Sequence, residues 1–215
     1  MQPTILPVCL GTVFWLCASW AGAEITVDRA PAVVERKTFD PHHRPADMPP
    51  LKDGESAVTE SRYECNVTLS YQVMSRKELG DSCTTLLKVR GVDVKLQLRI
   101  VIWIPDGATA KLSAHEEGHR QIAERVYEAA EEIARQIAAT LDGKTIRGEG
   151  ADCAEAEKRA TADAADHFCK SYLDETARPS TRVNEIYDDL TAHGTRTDPV
   201  EDEAIRQAFE KANAH

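Results

Sequence analysis

Two hydrophobic rhythms divide the chain. Val67, Leu69, Tyr71 and Val73 alternate with Asn66, Thr68, Ser70 and Gln72, and a longer run from Val92 to Ile104 sets Val94, Leu96, Leu98, Ile100, Ile102 and Ile104 against Asp93, Lys95, Gln97 and Arg99. A period of two predicts half-buried strands. Pro105-Asp106-Gly107 stops the second strand, and the spacing then changes: Leu112, Ile122, Val126, Ala129, Ile133, Ile137 and Leu141 fall on one stripe of three- and four-residue steps. That stripe predicts a long amphipathic helix ending at Leu141-Asp142-Gly143. Ala-rich, charged sequence predicts a second helix over Ala154 to Glu175, closed by Arg178-Pro179-Ser180, then a short helix from Thr181 to Leu190 and a charged one from Val200 to Ala214. Residues 24–56 show no sustained period and carry Pro31, Pro41, Pro45, Pro49 and Pro50, which reads as an extended arm. His42 and His43 lie in that arm and read as solvent-exposed.

These elements imply an α+β fold: a small antiparallel β-sheet followed by a long helix and further helices. The expected organisation is one domain over residues 57–195, preceded by the arm and followed by a C-terminal charged helix over 196–215.

Residues 1–23 read as a secretory signal, with an uncharged apolar run from Ile5 to Trp20 and the small-residue pattern Ala21-Gly22-Ala23 before Glu24. The run contains Pro7 and falls short of the roughly 18 apolar residues a spanning helix needs, so no stable membrane insertion is expected after cleavage. The net charge of −10 therefore belongs to the remainder of the chain, which disfavours nucleic acid and anionic lipid as partners. Beyond the signal four cysteines remain, Cys65, Cys83, Cys153 and Cys169, an even set that fits an oxidising compartment. One unbroken helix over 154–172 would hold Cys153 and Cys169 on the order of 24 Å apart, against the limit of about 7 Å for a disulfide. The favoured bridge is then Cys65 to Cys83.

Chemistry concentrates at His115-Glu116-Glu117-Gly118-His119, which fits H-E-x-x-H. Both histidines fall on the apolar stripe, where two ordinary core imidazoles would need separate hydrogen-bond networks and one shared metal satisfies both. Glu116, about 100° round the helix, can face a water at the ion without ligating it. The order strand, turn, H-E-x-x-H helix resembles zinc peptidases of the zincin type, which lay an extended substrate along a strand beside the active-site helix. A catalytic zinc needs a third protein ligand, and candidates downstream are His167, Glu185, Asp188 and His193.

The later segment Tyr187-Asp188-Asp189-Leu190-Thr191-Ala192-His193-Gly194, together with H-E-x-x-H, resembles a bacterial family of predicted secreted zinc-dependent proteases (domain of unknown function 922), whose members pair that motif with Tyr-Asp-x-x-Thr-x-His-Gly. The resemblance covers roughly residues 57–195. It implies Zn²⁺ on His115, His119 and His193, with Asp188 the alternative ligand or an acceptor that fixes an imidazole tautomer. The expected activity is hydrolysis of a peptide or protein substrate in a bacterial periplasm or outside the cell. Glu116 is the expected general base and Tyr187 a donor to the developing oxyanion. The contrasting expectation is a non-catalytic periplasmic protein that keeps a structural metal with all its coordination positions filled.

Overall fold

The computed structural model describes residues 24–214 apart from residue 53; the expected signal over 1–23 lies outside the described residues. Among them no helix is long and apolar enough to cross a membrane.

Five strands form one sheet: β1 (Glu24–Arg29), β2 (Val33–Phe39), β3 (Val58–Leu79), β4 (Ser82–Pro105) and β5 (Thr145–Gly150). The expected small antiparallel sheet is in fact mixed: β3 and β5 run antiparallel to β4, while β1 and β2 run parallel to it. Strand β4 is the spine. Its whole length pairs with β3 on one edge, and β5, β1 and β2 follow one another along the other. The first half of the expected arm is therefore sheet. Pro31, which cannot donate to a ladder, falls in the gap between β1 and β2, and its carbonyl accepts from Gln97 Nε2 instead.

On β4 every second residue from Val92 to Ile102 is buried, while Asp93, Lys95 and Arg99 point outwards. Before Gly91 the buried positions switch phase to Thr85, Leu87 and Val89, because the pairing with β3 slips by one residue between Ser70 and Tyr71. An extra residue in one strand flips the faces of everything beyond it.

The described residues also form five helices: α1 (Ala110–Tyr127), α2 (Ala130–Ala139), α3 (Cys153–Glu175), α4 (Ala177–Thr191) and α5 (Glu201–Asn213). The expected single helix over 112–141 is two, because Ala129 N–H donates to Val126 O, a tight i→i−3 turn. The break lets α2 pack on β1 and α3. Val94, Leu98, Ile100, Ala123, Tyr127, Phe168 and Tyr172 are buried in the core between sheet and helices. A smaller cluster joins Ile122 of α1 to Val183 and Tyr187 of α4 and to Ala204, Ile205 and Ala208 of α5.

Two disulfides tie α3 to the sheet, Cys65–Cys169 and Cys83–Cys153. The expected Cys65–Cys83 bridge does not form: Cys65 lies opposite Leu96 in mid-strand, whereas Cys83 lies opposite Glu78 beside the hairpin turn. The helix Cys153–Glu175 is unbroken, so its two cysteines reach the two levels of the hairpin separately.

Candidate metal centre

The H-E-x-x-H stretch sits in the first half of α1, whose start is fixed by the Pro105-Asp106-Gly107 turn and by Thr109, the N-cap, whose hydroxyl accepts from Leu112 N–H. His115 and Glu116 are buried. Across from them runs α4, longer than its sequence pattern suggests, with Asn184, Asp188 and Thr191 on one face at helical spacing.

Each imidazole is held by α4 through its Nδ1. Thr191 donates its one proton to Tyr187 O at 2.8 Å, so at 3.3 Å it accepts from His115 Nδ1–H. Asn184 Nδ2 donates to Ser180 O, which turns Asn184 Oδ1 towards His119 Nδ1 at 2.7 Å. Both Nε2 atoms are thereby left free to accept, and they point at one another across 3.2 Å. Asp188 Oδ1 completes the triangle, 3.3 Å from His115 Nε2 and 3.0 Å from His119 Nε2. A tetrahedral zinc with ligands at about 2.0–2.1 Å has those ligands about 3.3 Å apart. The three atoms span one face of such a polyhedron, so these residues fit the ion.

Electrostatics point the same way. Burial works against the charged form of His119, but its hydrogen bond to Asp188 and the Asp188 and Glu116 charges outweigh this and raise its pKa. Burial likewise penalises the Asp188 carboxylate, yet the adjacent His115 and His119 rings, in the form protonated at Nε2, hold its pKa well below the usual range.

Glu116 stands apart from the ligand triangle. Thr59, near the start of β3, donates to Glu116 Oε2 at 2.7 Å, and its hydroxyl also lies 3.1 Å from Glu116 O. Burial, the largest influence, raises the Glu116 pKa against the opposing pull of His119 and Thr59. A raised pKa suits a carboxyl that exchanges protons near neutrality.

The third position of the triangle is Asp188 rather than the expected His193. Helix α4 runs through Thr191 and then reverses at Ala192 and His193, both with positive φ (46° and 51°). The reversal carries the His193 ring into a second group with Asp188 and Glu55. Gly194 follows at φ 75°, where a Cβ would meet His115 Cβ at 2.8 Å, so the chain passes against the back of that ligand. Tyr187, the expected oxyanion donor, does not line the cleft. It is fully buried, its ring stacks on His115 at 5.0 Å, and its hydroxyl donates to His115 O at 3.3 Å. His167 is exposed on α3 and joins neither group, and Glu185 lines the cleft from its exposed rim. His43 pairs with Asp40 at the surface, 3.0 Å away.

A cleft of about 320 Å³ opens over the triangle, within the range of ligand sites. Its walls include Val58–Ser61 of β3, Pro49, Pro50, Lys52 and Glu55 of the β2–β3 loop, and Ser180, Thr181 and Asn184 of α4. The strand leading into α1, β4, is interior and offers no edge. Strand β3 is the edge beside the site, and no other strand pairs with its outer side among the described residues. Thr59, Asn184 and Thr191 were not legible as site residues one at a time; the i, i+4, i+7 spacing of Asn184, Asp188 and Thr191 is the signal that joins the last two to the ligand.

No family model, no curated protein and no solved structure matches the chain.

Proposed function

We propose that the protein is a secreted zinc-dependent peptidase with a zincin-like active site. The observation that carries this reading is the convergence of two Nδ1-anchored imidazoles and one carboxylate, at the edge lengths of a tetrahedral ion, beside the buried carboxyl of Glu116. His115, His119 and Asp188 would hold Zn²⁺, which when bound polarises a carbonyl and brings the pKa of a water down towards about 7. Glu116 takes the proton of the attacking water and passes it to the leaving amine. Thr59 holds that carboxyl in place. Asn184 and Thr191 fix the tautomers, and Tyr187 positions the His115 ring rather than touching substrate.

The outer edge of β3 at Val58–Ser61 suits an extended peptide, whose backbone would pair with unsatisfied N–H and C=O groups next to Glu116. The resemblance of both motifs to the secreted protease family supports the same reaction, and two disulfides fit an oxidising compartment. A structural zinc would need a fourth protein ligand; the group around His115 and His119 has three members among the described residues.

The test pairs elemental analysis with a screen of fluorogenic peptides. Glu116→Gln should retain zinc and lose turnover by at least about 10²-fold, while His119→Asn should lose both. Wild-type turnover in the Glu116→Gln protein, or an absence of zinc uptake by the folded parent, would end this reading.

A further inference from the structure

We infer that Glu55, Asp188 and His193 form a second divalent-cation subsite, which shares Asp188 with the first and ties the β2–β3 loop to the end of α4. The inference rests on the proposed site through that shared carboxylate. One ligand atom from each of the three residues lies within 4.8 Å of the other two. Neither carboxylate has a Lys or Arg ion-pair partner among the described residues. Two such groups repel unless a cation sits between them.

An independent feature points into the same space. His193 Nδ1 is shielded from solvent and has no hydrogen-bond partner, although Asp188 Oδ1 lies only 3.7 Å away. That separation is too long for a hydrogen bond and suits two ligands of one ion. A buried ring nitrogen without a partner is costly, and an ion between His193 and Asp188 removes the cost. Asp188 reaches His115 and His119 through Oδ1. The contact to His193 is made by the same Oδ1, so the carboxylate would bridge the two ions, as in two-metal sites whose ions stand about 3.5–4 Å apart.

Glu55 is aimed by its own turn. Lys52 N–H donates to Glu55 Oε2 at 2.8 Å, and Glu55 N–H returns to Lys52 O at 3.1 Å. The turn passes near the histidine: a Cβ placed on Gly54 would stand 3.6 Å from His193 Cδ2. Two carboxylates and one imidazole make a harder donor set than the first site, suited to Mn²⁺ or Zn²⁺. Pro49, Pro50 and Lys52 on the same loop wall the cleft, so an ion held by Glu55 fixes the shape of the substrate channel.

The full chain, stripped with chelator and titrated with Zn²⁺ and separately with Mn²⁺, should take up two ions by calorimetry and elemental analysis. Glu55→Gln, whose amide oxygen still accepts from Lys52 N–H, should take up one, and so should His193→Asn. His119→Asn should lose the first ion and keep the second. A single ion in the parent that survives Glu55→Gln and His193→Asn but is lost in His119→Asn would overturn the second subsite and leave the peptidase reading standing. A single ion lost in His193→Asn and kept in Glu55→Gln would make His193 a ligand of the first ion and equally overturn the inference. No uptake by a parent whose circular dichroism shows it folded would remove both.

Discussion

Tyr187 lies flat against His115, with 9° between the ring planes, and its hydroxyl occupies the space where Gly118 lacks a side chain. A Cβ on Gly118 would stand 2.2 Å from that oxygen. The glycine inside H-E-x-x-H and the tyrosine of the later motif are therefore one packing unit, which sets how closely α4 approaches the ligands.

Gly118→Ala should push α4 away, costing about 1–3 kcal/mol as an overpacked core and weakening zinc binding. Tyr187→Phe keeps the stacked ring and removes one hydrogen bond, worth about 0.5–1.5 kcal/mol. Thermal melts and peptide turnover separate the two roles: turnover within a few-fold of the parent fits positioning. A drop of about 10²-fold or more in turnover, with zinc retained, would restore the oxyanion donor.

Thr59→Val removes the donor to Glu116 while keeping the volume. That hydrogen bond favours the ionised carboxylate and lowers the Glu116 pKa. The acidic limb of kcat/KM should therefore move up in pH with metal content unchanged; an unmoved limb would separate Thr59 from the base.

Alkaline stability should follow the buried tyrosines. Burial pushes Tyr63 up to about 12 and Tyr172 and Tyr187 further still. A folded pKa above the unfolded value of about 10 means a stabilising contribution that is complete below pH about 10 and lost as pH rises through about 12. Denaturant midpoints at pH 8 and 11, read with tyrosinate absorbance, should fall as these tyrosines ionise. Ionisation of all of them with an unchanged midpoint would contradict this.

Peptide mapping without reduction should recover Cys65 linked to Cys169 and Cys83 linked to Cys153. Replacing either pair by serine should cost about 2–5 kcal/mol. A recovered Cys65–Cys83 peptide would contradict the placement of α3 across the hairpin.

Strand β4 and helix α1 are legible in the sequence because each shows one face to the core and one to water. Strands β1 and β2 are not: in each only one residue is buried, Val27 and Phe39 respectively, so the period-two signal is too dilute to read. Strand β5 is hidden for another reason. Its inward face is Ile146, Gly148 and Gly150, and α3 lies so close that a Cβ at Gly148 would meet Ala156 O at 1.9 Å, so that face carries glycine where an apolar signal would be read. The convergence of His115 and His119 was legible, since two histidines on an apolar stripe demand an explanation. The choice between Asp188 and His193 was not, because it turns on where α4 ends. Asp188 shares the face of Asn184 in either case, but only a helix continued through Thr191 and reversed at Ala192 carries His193 away from the pair His115 and His119.

The two disulfides are nested, one closing 104 residues and the other 70, and α1 lies inside both loops. A cut in the turn at Leu141-Asp142-Gly143 therefore frees neither side: the fragment with the two histidines stays covalently joined to the fragment with Asp188. Cleaved at that turn by any protease, such a molecule would remain a single particle until its disulfides were reduced.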